Sequence, residues 1–382
     1  MSDSALVIEL EPLSGEGGSD DAGEENNVLA SRDRDLLAGR ATKLRERLDE
    51  LFSTIMRAYE DQADRADAIE DYWDCYNCKS NDNKYYNGIA DIYFPIIHDA
   101  VNALVTRFTN QMFPQSGRYV EAVSADGTQP MPLMALIEHY LRSTMFETQV
   151  MKPLMRTGVI EGQFNLYTDW CEFERVLVSR ETHGAMIPGP GGGEMEAPGE
   201  EIEDIREEVI REGRPVFEVL HDCDVAVWPE TVDSLDEAFR VGGGVAIVRH
   251  WTKEKVDQLV KQGVIRRAEA RELKTEMARM SREKVNIEKR LNEAVGIHSE
   301  GTGACVWEVW TMLPLDRDGA YSEEGSPRLC RVFFGPDRVA LGAKRNPYWN
   351  DRCPLLSVPI EKIPGVFKGK SPISYVDSLQ YE

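Results

Sequence analysis

The sequence predicts an α+β protein of more than one domain. Three observations predict it: apolar residues recur at helical spacing over the first third of the chain, branched and aromatic residues cluster in short runs through the middle, and a heptad-patterned helix is followed by period-two alternation. With 382 residues, 42% of them hydrophobic, the chain has room for two or three domains and a real core. Its 44 Lys and Arg against 67 Asp and Glu leave a formal net charge of −23, which argues against tight nucleic-acid binding by counterion release. No apolar run approaches the ~18 residues of a membrane span, and Met1-Ser2-Asp3-Ser4 opens no signal peptide, so neither a secreted nor a membrane-embedded product is expected. Seven cysteines, at 75, 78, 171, 223, 305, 330 and 353, form no disulfide framework and suit a reducing compartment.

Residues 1–30 hold eight acidic residues and no Lys or Arg, interleaved with glycine, and are expected to be a disordered arm. Ser31, followed by Asp33 and Asp35, reads as the N-cap and acidic first turn of one charged helix running to about Tyr72, with Leu37, Leu44, Leu48, Leu51, Ile55 and Met56 on its apolar face. Residues 81–87 read as a loop. Pro95 opens a second helix, in which Ile97, Val101, Leu104, Val105, Phe108 and Met112 recur at helical spacing before Pro114 stops it. A third and a fourth helix are expected between Met131 and Gly158. Residues 163–178 have strand composition, whereas 184–199 are rich in Gly and Pro and 200–212 strongly acidic. That insertion, 184–212, is expected to be an exposed excursion, partly helical at its acidic end.

Strand character returns at 215–220, 225–228 and 245–251. Thr252 then caps a short helix carrying Val256, Leu259 and Val260, which Gly263 ends. The next helix, expected over 268–295 and roughly 42 Å long, carries Leu273, Met277, Met280, Ile287, Leu291 and Ala294 on alternating steps of four and three, with Lys284 in the remaining slot. Such a seam serves a neighbouring subunit or a neighbouring helix of the same chain equally well. After Gly296 the period becomes two: strands are expected over 305–313 and 329–334, and Gly335-Pro336-Asp337 turns the second into a strand at 339–343. Ser371 and Pro372 are an N-cap and N1 pair starting a last helix, with Ile373, Val376 and Leu379 on one face. That stripe finds no partner in the remaining sequence, so the chain is expected to be a fragment.

Chemistry-bearing motifs are scarce. The phosphate cradle of a P-loop is missing, and Gly189-Pro190-Gly191-Gly192-Gly193 lacks its Lys and its preceding strand, which leaves a flexible loop. Cys75-Tyr76-Asn77-Cys78 has zinc-like spacing but no second pair to complete four ligands. Asp316-Arg317-Asp318-Gly319 has its Gly too early for a calcium loop and reads as a hairpin tip. The six histidines show no metal or triad signature, and His98-Asp99 and His221-Asp222 read as surface or capping pairs. No enzyme, no cofactor and no metal is expected.

Three blocks of sequence resemble the portal proteins of tailed bacteriophages, particularly the short-tailed type. The first is Ile92-Tyr93-Phe94-Pro95-Ile96-Ile97-His98-Asp99-Ala100-Val101 with the helix end Gln111-Met112-Phe113-Pro114. The second is Asp224-Val225-Ala226-Val227-Trp228-Pro229 with Leu235-Asp236-Glu237-Ala238 and a strand into Trp251-Thr252. The third and most specific is Asn346-Pro347-Tyr348-Trp349, Cys353-Pro354-Leu355, and Ile363-Pro364-Gly365-Val366-Phe367-Lys368-Gly369-Lys370-Ser371 with Leu379-Gln380. Together they span most of residues 40–382.

The resemblance implies a portal fold. It would place an α/β wing over 31–251, helices leading into and forming the first stem helix over 252–296, a small β-rich clip over 297–362, and the start of a truncated second stem helix over 363–382. It further implies a homo-oligomeric ring of about twelve subunits at the portal vertex of the virion, assembled in the host cytoplasm. Its partners would be the large terminase motor, tail adaptor proteins, and the major capsid and scaffolding proteins. Double-stranded DNA would pass through without sequence specificity, and no membrane is involved. A net charge of −23 suits a conduit that does not grip the duplex. Residues 253–294, with twelve Lys and Arg against eight Asp and Glu, form a locally basic rod. Arg338, Lys344, Arg345 and Trp349 are the expected terminase and tail contacts, because Arg and Trp favour interface anchors, although Trp349 packing under its own proline loop is equally open. Leu273, Met277, Met280, Lys284, Ile287 and Leu291 are the expected subunit interface, with Lys284 reaching a neighbour's Glu283 or Glu288. Two rivals are a coiled-coil adaptor or scaffold of a cytoplasmic assembly, which predicts a dimer or trimer, and a zinc enzyme built on Cys75 and Cys78.

Overall fold

The computed structural model describes residues 36–38, 42–78, 95–113, 119, 130–188, 194–261, 263–280, 304–316, 319–336, 338–348 and 350–376, with side chains described except at 38, 42, 172–188, 194–212, 275–280 and 304. The acidic arm at 1–30, the loop at 81–87, the Gly cluster at 189–193 and the seam beyond Met280 lie outside the described residues. The protein is mixed helix and sheet. The described residues divide into two compact units, one drawn from within 36–56, 239–280 and 304–352, the other from within 57–238 and 353–376.

After a single 3-10 turn at Leu36–Ala38, the expected first helix is two helices, α1 (Thr42–Glu60) and α2 (Ala63–Tyr76). Between them the Gln62 N–H bonds the Tyr59 carbonyl three residues back, at 3.2 Å, which tightens the turn and ends α1 without Gly or Pro. Three further helical pieces follow: α3 (Ile96–Met112), α4 (Met131–Ser143) and α5 (Lys152–Glu161), with a π-type turn at Phe146–Met151 before the last. Gly162, at φ +86°, closes α5 in the left-handed conformation.

β1 (Gln163–Pro188) and β2 (Glu194–Val219) form one long antiparallel hairpin, paired in one register from Leu166↔Val219 to Gly184↔Glu201 and, after a shift, from Met186↔Glu196 to Pro188↔Glu194. This corrects the expectation of a partly helical excursion at 184–212. Val176 and Val178 sit opposite Val209 and Glu207, so the branched run of β1 templates an acidic return strand whose own composition is poor for β structure. The remaining elements are β3 (Val225–Trp228), α6 (Leu235–Arg240), β4 (Gly244–Trp251), α7 (Lys253–Lys261), α8 (Arg267–Met280), β5 (Ala304–Leu315), β6 (Ser326–Phe334), β7 (Ala340–Arg345), β8 (Leu355–Pro359) and a 3-10 turn at Pro372–Tyr375.

In the first unit, β4, β5, β6 and β7 run as an antiparallel meander, with Val248↔Trp307, Trp307↔Phe334 and Val332↔Ala343 as register pairs. The strands expected within the clip therefore continue a sheet that begins in the expected wing. Adjacent strand residues point to opposite faces. One face, through Trp307 and Phe334, meets Phe52 of α1 at ring distances of 5.6 and 5.4 Å. The other, through Val306 and Phe333, packs with Val256 and Leu259 of α7 and Leu273 of α8. Cover on both faces is why β5 and β6 are nearly continuously apolar rather than strictly alternating. Gly342 lets the α7–α8 turn close on β7, since a Cβ there would lie 2.3 Å from the Val264 carbonyl oxygen.

In the second unit, α2, α3 and α5 bury Ile69, Trp73, Ile97, Val101, Val105, Val159 and Ile160 in one cluster. Ile373 is part of that cluster at 3% exposure, so the first residue of the terminal stripe, expected to lack a partner, has one in this same chain, while Val376 is 40% exposed and Leu379 lies outside the described residues. β8 pairs with β1 over Gln163–Tyr167 and draws the final segment against α5. Among the described residues, no helix is long and apolar enough to cross a membrane.

Candidate functional site

The strongest concentration of buried charge lies in the second unit, where residues far apart in sequence converge at the end of α5. Gly162 makes the convergence possible. A Cβ on it would sit 2.6 Å from the Ser371 nitrogen, and one on Gly369 would sit 2.4 Å from the Gly162 oxygen, so the two backbones touch as only glycine allows. Ser371 Oγ accepts the Ile373 N–H at 3.1 Å and donates to the Val159 carbonyl at 3.2 Å, which caps the Pro372 turn and ties it to α5.

Asp222, in a 3-10 turn at Asp222–Asp224, has a fully buried side chain. Its Oδ2 accepts Arg65 Nε of α2 at 2.5 Å, and its Oδ1 accepts Lys368 Nζ at 2.6 Å and Asn165 Nδ2 at 3.4 Å. Lys368 Nζ also donates to the carbonyls of Asp222 and Val225 at 2.9 and 2.6 Å, so its three protons have three acceptors. Burial alone would push the Asp222 carboxyl up, but the charges of Lys368 and Arg65 outweigh it and hold it below the usual carboxylate range.

Glu161, the last residue of α5, is 1% exposed. Its Oε1 accepts Trp73 Nε1 at 2.9 Å and lies 2.6 Å from His221 Nδ1, while its Oε2 accepts the Asp222 N–H at 2.6 Å. Burial pulls the His221 pKa down, yet the charge and hydrogen bond of Glu161, with Asp224 adding to them, raise it to about 9. A relay of neutral groups completes the site. The Gly369 N–H donates to Gln163 Oε1, Gln163 Nε2 to Ser357 Oγ, and Ser357 Oγ to Asn165 Oδ1, at 2.8, 2.8 and 2.6 Å.

Beside this cluster is a groove of about 270 Å³, lined among others by Asp61, Arg65, Glu230, Phe367, Lys368 and Lys370. Chemically the cluster holds charge rather than moving it. Both carboxylates are engaged by N–H donors, and burial with the nearby carboxylates keeps the Cys223 thiol protonated. The hydroxyls of Ser357 and Ser371 are committed to Asn165 and Val159. The arrangement is a clamp that fixes the 367–373 segment onto α2, α5 and β1.

Because the folded His221 pKa lies above its ordinary 6.5, the imidazolium–Glu161 pair stabilises fully below about pH 6.5 and loses its contribution as pH rises through about 9. Asp222 acts oppositely, stabilising above the ordinary carboxylate range and failing as pH falls through its lowered value. The urea midpoint gap between wild type and His221→Gln is thus expected to be largest near pH 6 and to close by pH 10. A gap constant over that range would show that His221 carries no charge in the fold.

Of His221-Asp222, expected to be a surface or capping pair, Asp222 is the buried centre of the cluster and His221 lies at its edge with a quarter of its side chain exposed, and Glu161, Arg65, Asn165 and Gln163 carried no local signal. Lys368 stands in the Ile363–Ser371 stretch quoted above, with no separate sign of its partner. The expected contact residues are not brought together here. Arg338 follows the Gly335 turn at φ +65°, its guanidinium 5.9 Å from the Phe52 ring centre. Lys344 and Arg345 close the opposite end of β7, with Arg345 paired to Asp351 at 3.3 Å, and Trp349 lies outside the described residues. Leu273 is 2% exposed inside the core of its own unit, which is the packing alternative that the heptad leaves open. Met277 and Met280 belong to α8 with side chains not described, and Lys284, Ile287 and Leu291 lie outside the described residues. Cys75 is buried in the same core cluster as Trp73 and Ile97. Among the described residues no group of three or more His, Cys, Asp or Glu side chains is placed to hold a metal ion. Compared with family models and with curated proteins, the chain matches none.

Proposed function

We propose that this chain is a portal protein of the short-tailed-phage type, a ring-shaped DNA conduit at one capsid vertex that docks the terminase during packaging and the tail adaptors afterwards. The observation that carries this reading is the order of elements. A largely helical stretch with a long hairpin is followed by a charged helix from Arg267, antiparallel strands β5 to β7, and a proline-punctuated return through β8. The return leads to Ser371-Pro372, where a capped turn begins. The acidic balance of the chain supports it too, because a conduit through which duplex slides gains nothing from strong phosphate contacts.

A ring requires heterologous contacts that close on themselves. Native mass spectrometry and negative-stain imaging of the protein are expected to show closed rings of about twelve copies. A dimer or trimer at every concentration would favour the coiled-coil adaptor instead, and a monomer would exclude both.

A further inference from the structure

We propose that the groove beside the Asp222 clamp binds a small zwitterion with an apolar body, of which a free α-amino acid is the simplest case. Asp61, Gln62, Arg65, Glu230, Lys368 and Lys370 line it, all within the second unit. With Asp222 beneath Arg65 and Lys368, three carboxylates meet three cations, so the lining is neutral as a whole. Its pairing is uneven. Asp222 takes both Arg65 and Lys368, while Asp61 and Glu230 have no cationic partner and Lys370 no carboxylate partner among the described residues. Lys370 Nζ lies instead 3.9 Å from the centre of the Tyr375 ring. Arg65 gives Nε to Asp222 and Nη2 to the Glu161 carbonyl, which leaves Nη1 uncommitted among the described residues.

Exposed carboxylates are ordinary, but Gln62 is not exposed. It is 7% exposed, and its amide, which can make four hydrogen bonds, makes one among the described residues, to Glu230 Oε1 at a long 3.5 Å. Buried amides are normally satisfied, so one that opens onto a groove with most of its capacity unused points to a ligand that completes it. Val227, Ile363, Val366 and Phe367 supply the apolar part of the lining. The 363–367 segment is held ready: the Phe367 N–H donates to the Glu230 carbonyl at 3.1 Å and the Gly365 N–H to Asp233 Oδ1 at 2.9 Å.

Charge complementarity selects the class of ligand. An anion such as a phosphate would meet Asp61 and Glu230, and a simple cation would leave Lys370 and Arg65 Nη1 unmatched. A molecule that is neutral overall and carries both charges satisfies both sets, its ammonium at Asp61, Glu230 and the Gln62 oxygen and its carboxylate at Lys370 and Arg65. At about 270 Å³ the groove lies at the lower edge of small-molecule pockets, which begin near roughly 300 Å³, and suits one amino acid rather than a polymer.

The site does not depend on the ring reading, and its test, by calorimetry, leaves that reading untouched. The full chain is titrated with L-phenylalanine, with phenethylamine and with 3-phenylpropanoate, the zwitterion and its cationic and anionic halves. Phenylalanine should bind roughly tenfold more tightly than either half, because each half leaves one set of charges unpaired. Asp61→Asn/Glu230→Gln should weaken phenylalanine about tenfold and leave 3-phenylpropanoate unchanged, and Lys370→Met should weaken phenylalanine about tenfold and leave phenethylamine unchanged. None of these side chains belongs to the clamp, so the unliganded variants should keep the wild-type melting temperature. Absence of binding heat with phenylalanine at about 10 mM overturns the proposal. Equal affinity for either half overturns it by making the groove a site for one charge, and unchanged phenylalanine binding in the variants does so by placing the ligand elsewhere. A lowered melting temperature in the unliganded variants overturns it as well, since those charges would then serve the fold.

Discussion

Asp222→Ala is expected to destabilise its unit by about 3–5 kcal/mol, because it removes one partner from a buried ionic cluster and leaves the others uncompensated. Lys368 is 8% exposed in its side chain and Arg65 27%, so neither ammonium nor guanidinium recovers full hydration when the carboxylate is gone. The effect should be local at first. Hydrogen exchange should accelerate in α2, the end of α5 and the 367–373 segment, where the clamp joins elements that no covalent neighbour holds together. A double variant, Asp222→Leu/Lys368→Met, is expected to lose less than Asp222→Ala, since it removes the charge and its principal partner together. Lys362→Met provides the contrast. Its pair with Asp233 is half-exposed on both sides, so water and salt screen it and its loss should leave the urea midpoint nearly unchanged. Equal urea midpoints for wild type and Asp222→Ala would remove the clamp from the account of this fold.

Glu308→Ala is expected to have a comparable effect on the other unit, about 3–5 kcal/mol. Glu308 lies on β5 at 2% exposure, between Arg249 of β4 and Arg331 of β6, with ion-pair distances of 2.9 Å to each. Its Oε1 also accepts Trp310 Nε1 at 2.9 Å. The register explains the meeting: Glu308 stands opposite Ile247 and Phe333, so Arg249 and Arg331 are its diagonal neighbours on the same face of the sheet. Arg331 additionally lies over the Trp310 and Phe333 rings at 5.4 and 4.8 Å. Removing the carboxylate leaves two cations confronting one another under aromatic cover. The expected readout is a lower urea midpoint with faster exchange in β4, β5 and β6. Glu308→Gln should recover part of the loss, because its amide oxygen still accepts one donor. A Glu308→Ala protein with unchanged exchange in those strands would show that the triad contributes nothing net.

The sequence alone determined what short-range chemistry determines. Thr252 precedes α7, and its Oγ1 accepts the Lys255 N–H; Gly263 follows α7 at φ +68°; and the Gly335 turn returns β6 into β7. These depend on residues within a few positions of one another, where capping, left-handed glycine and turn preferences act without help from the rest of the chain. Mixed helix and sheet was legible for the same reason, since periods of 3.6 and 2 are local properties. Tertiary structure decided what depends on distant partners. Arg65 and Asp222 are 157 residues apart, Lys368 and Asp222 146, and no periodicity links them. The acidic stretch at 200–212 is strand because β1 pairs with it, against its own composition. Leu104 and Phe108 share the helical period of Val101 and Val105, but which of two adjacent stripes faces the core was set by where α5 and α2 pack, and periodicity reports a face without saying what covers it.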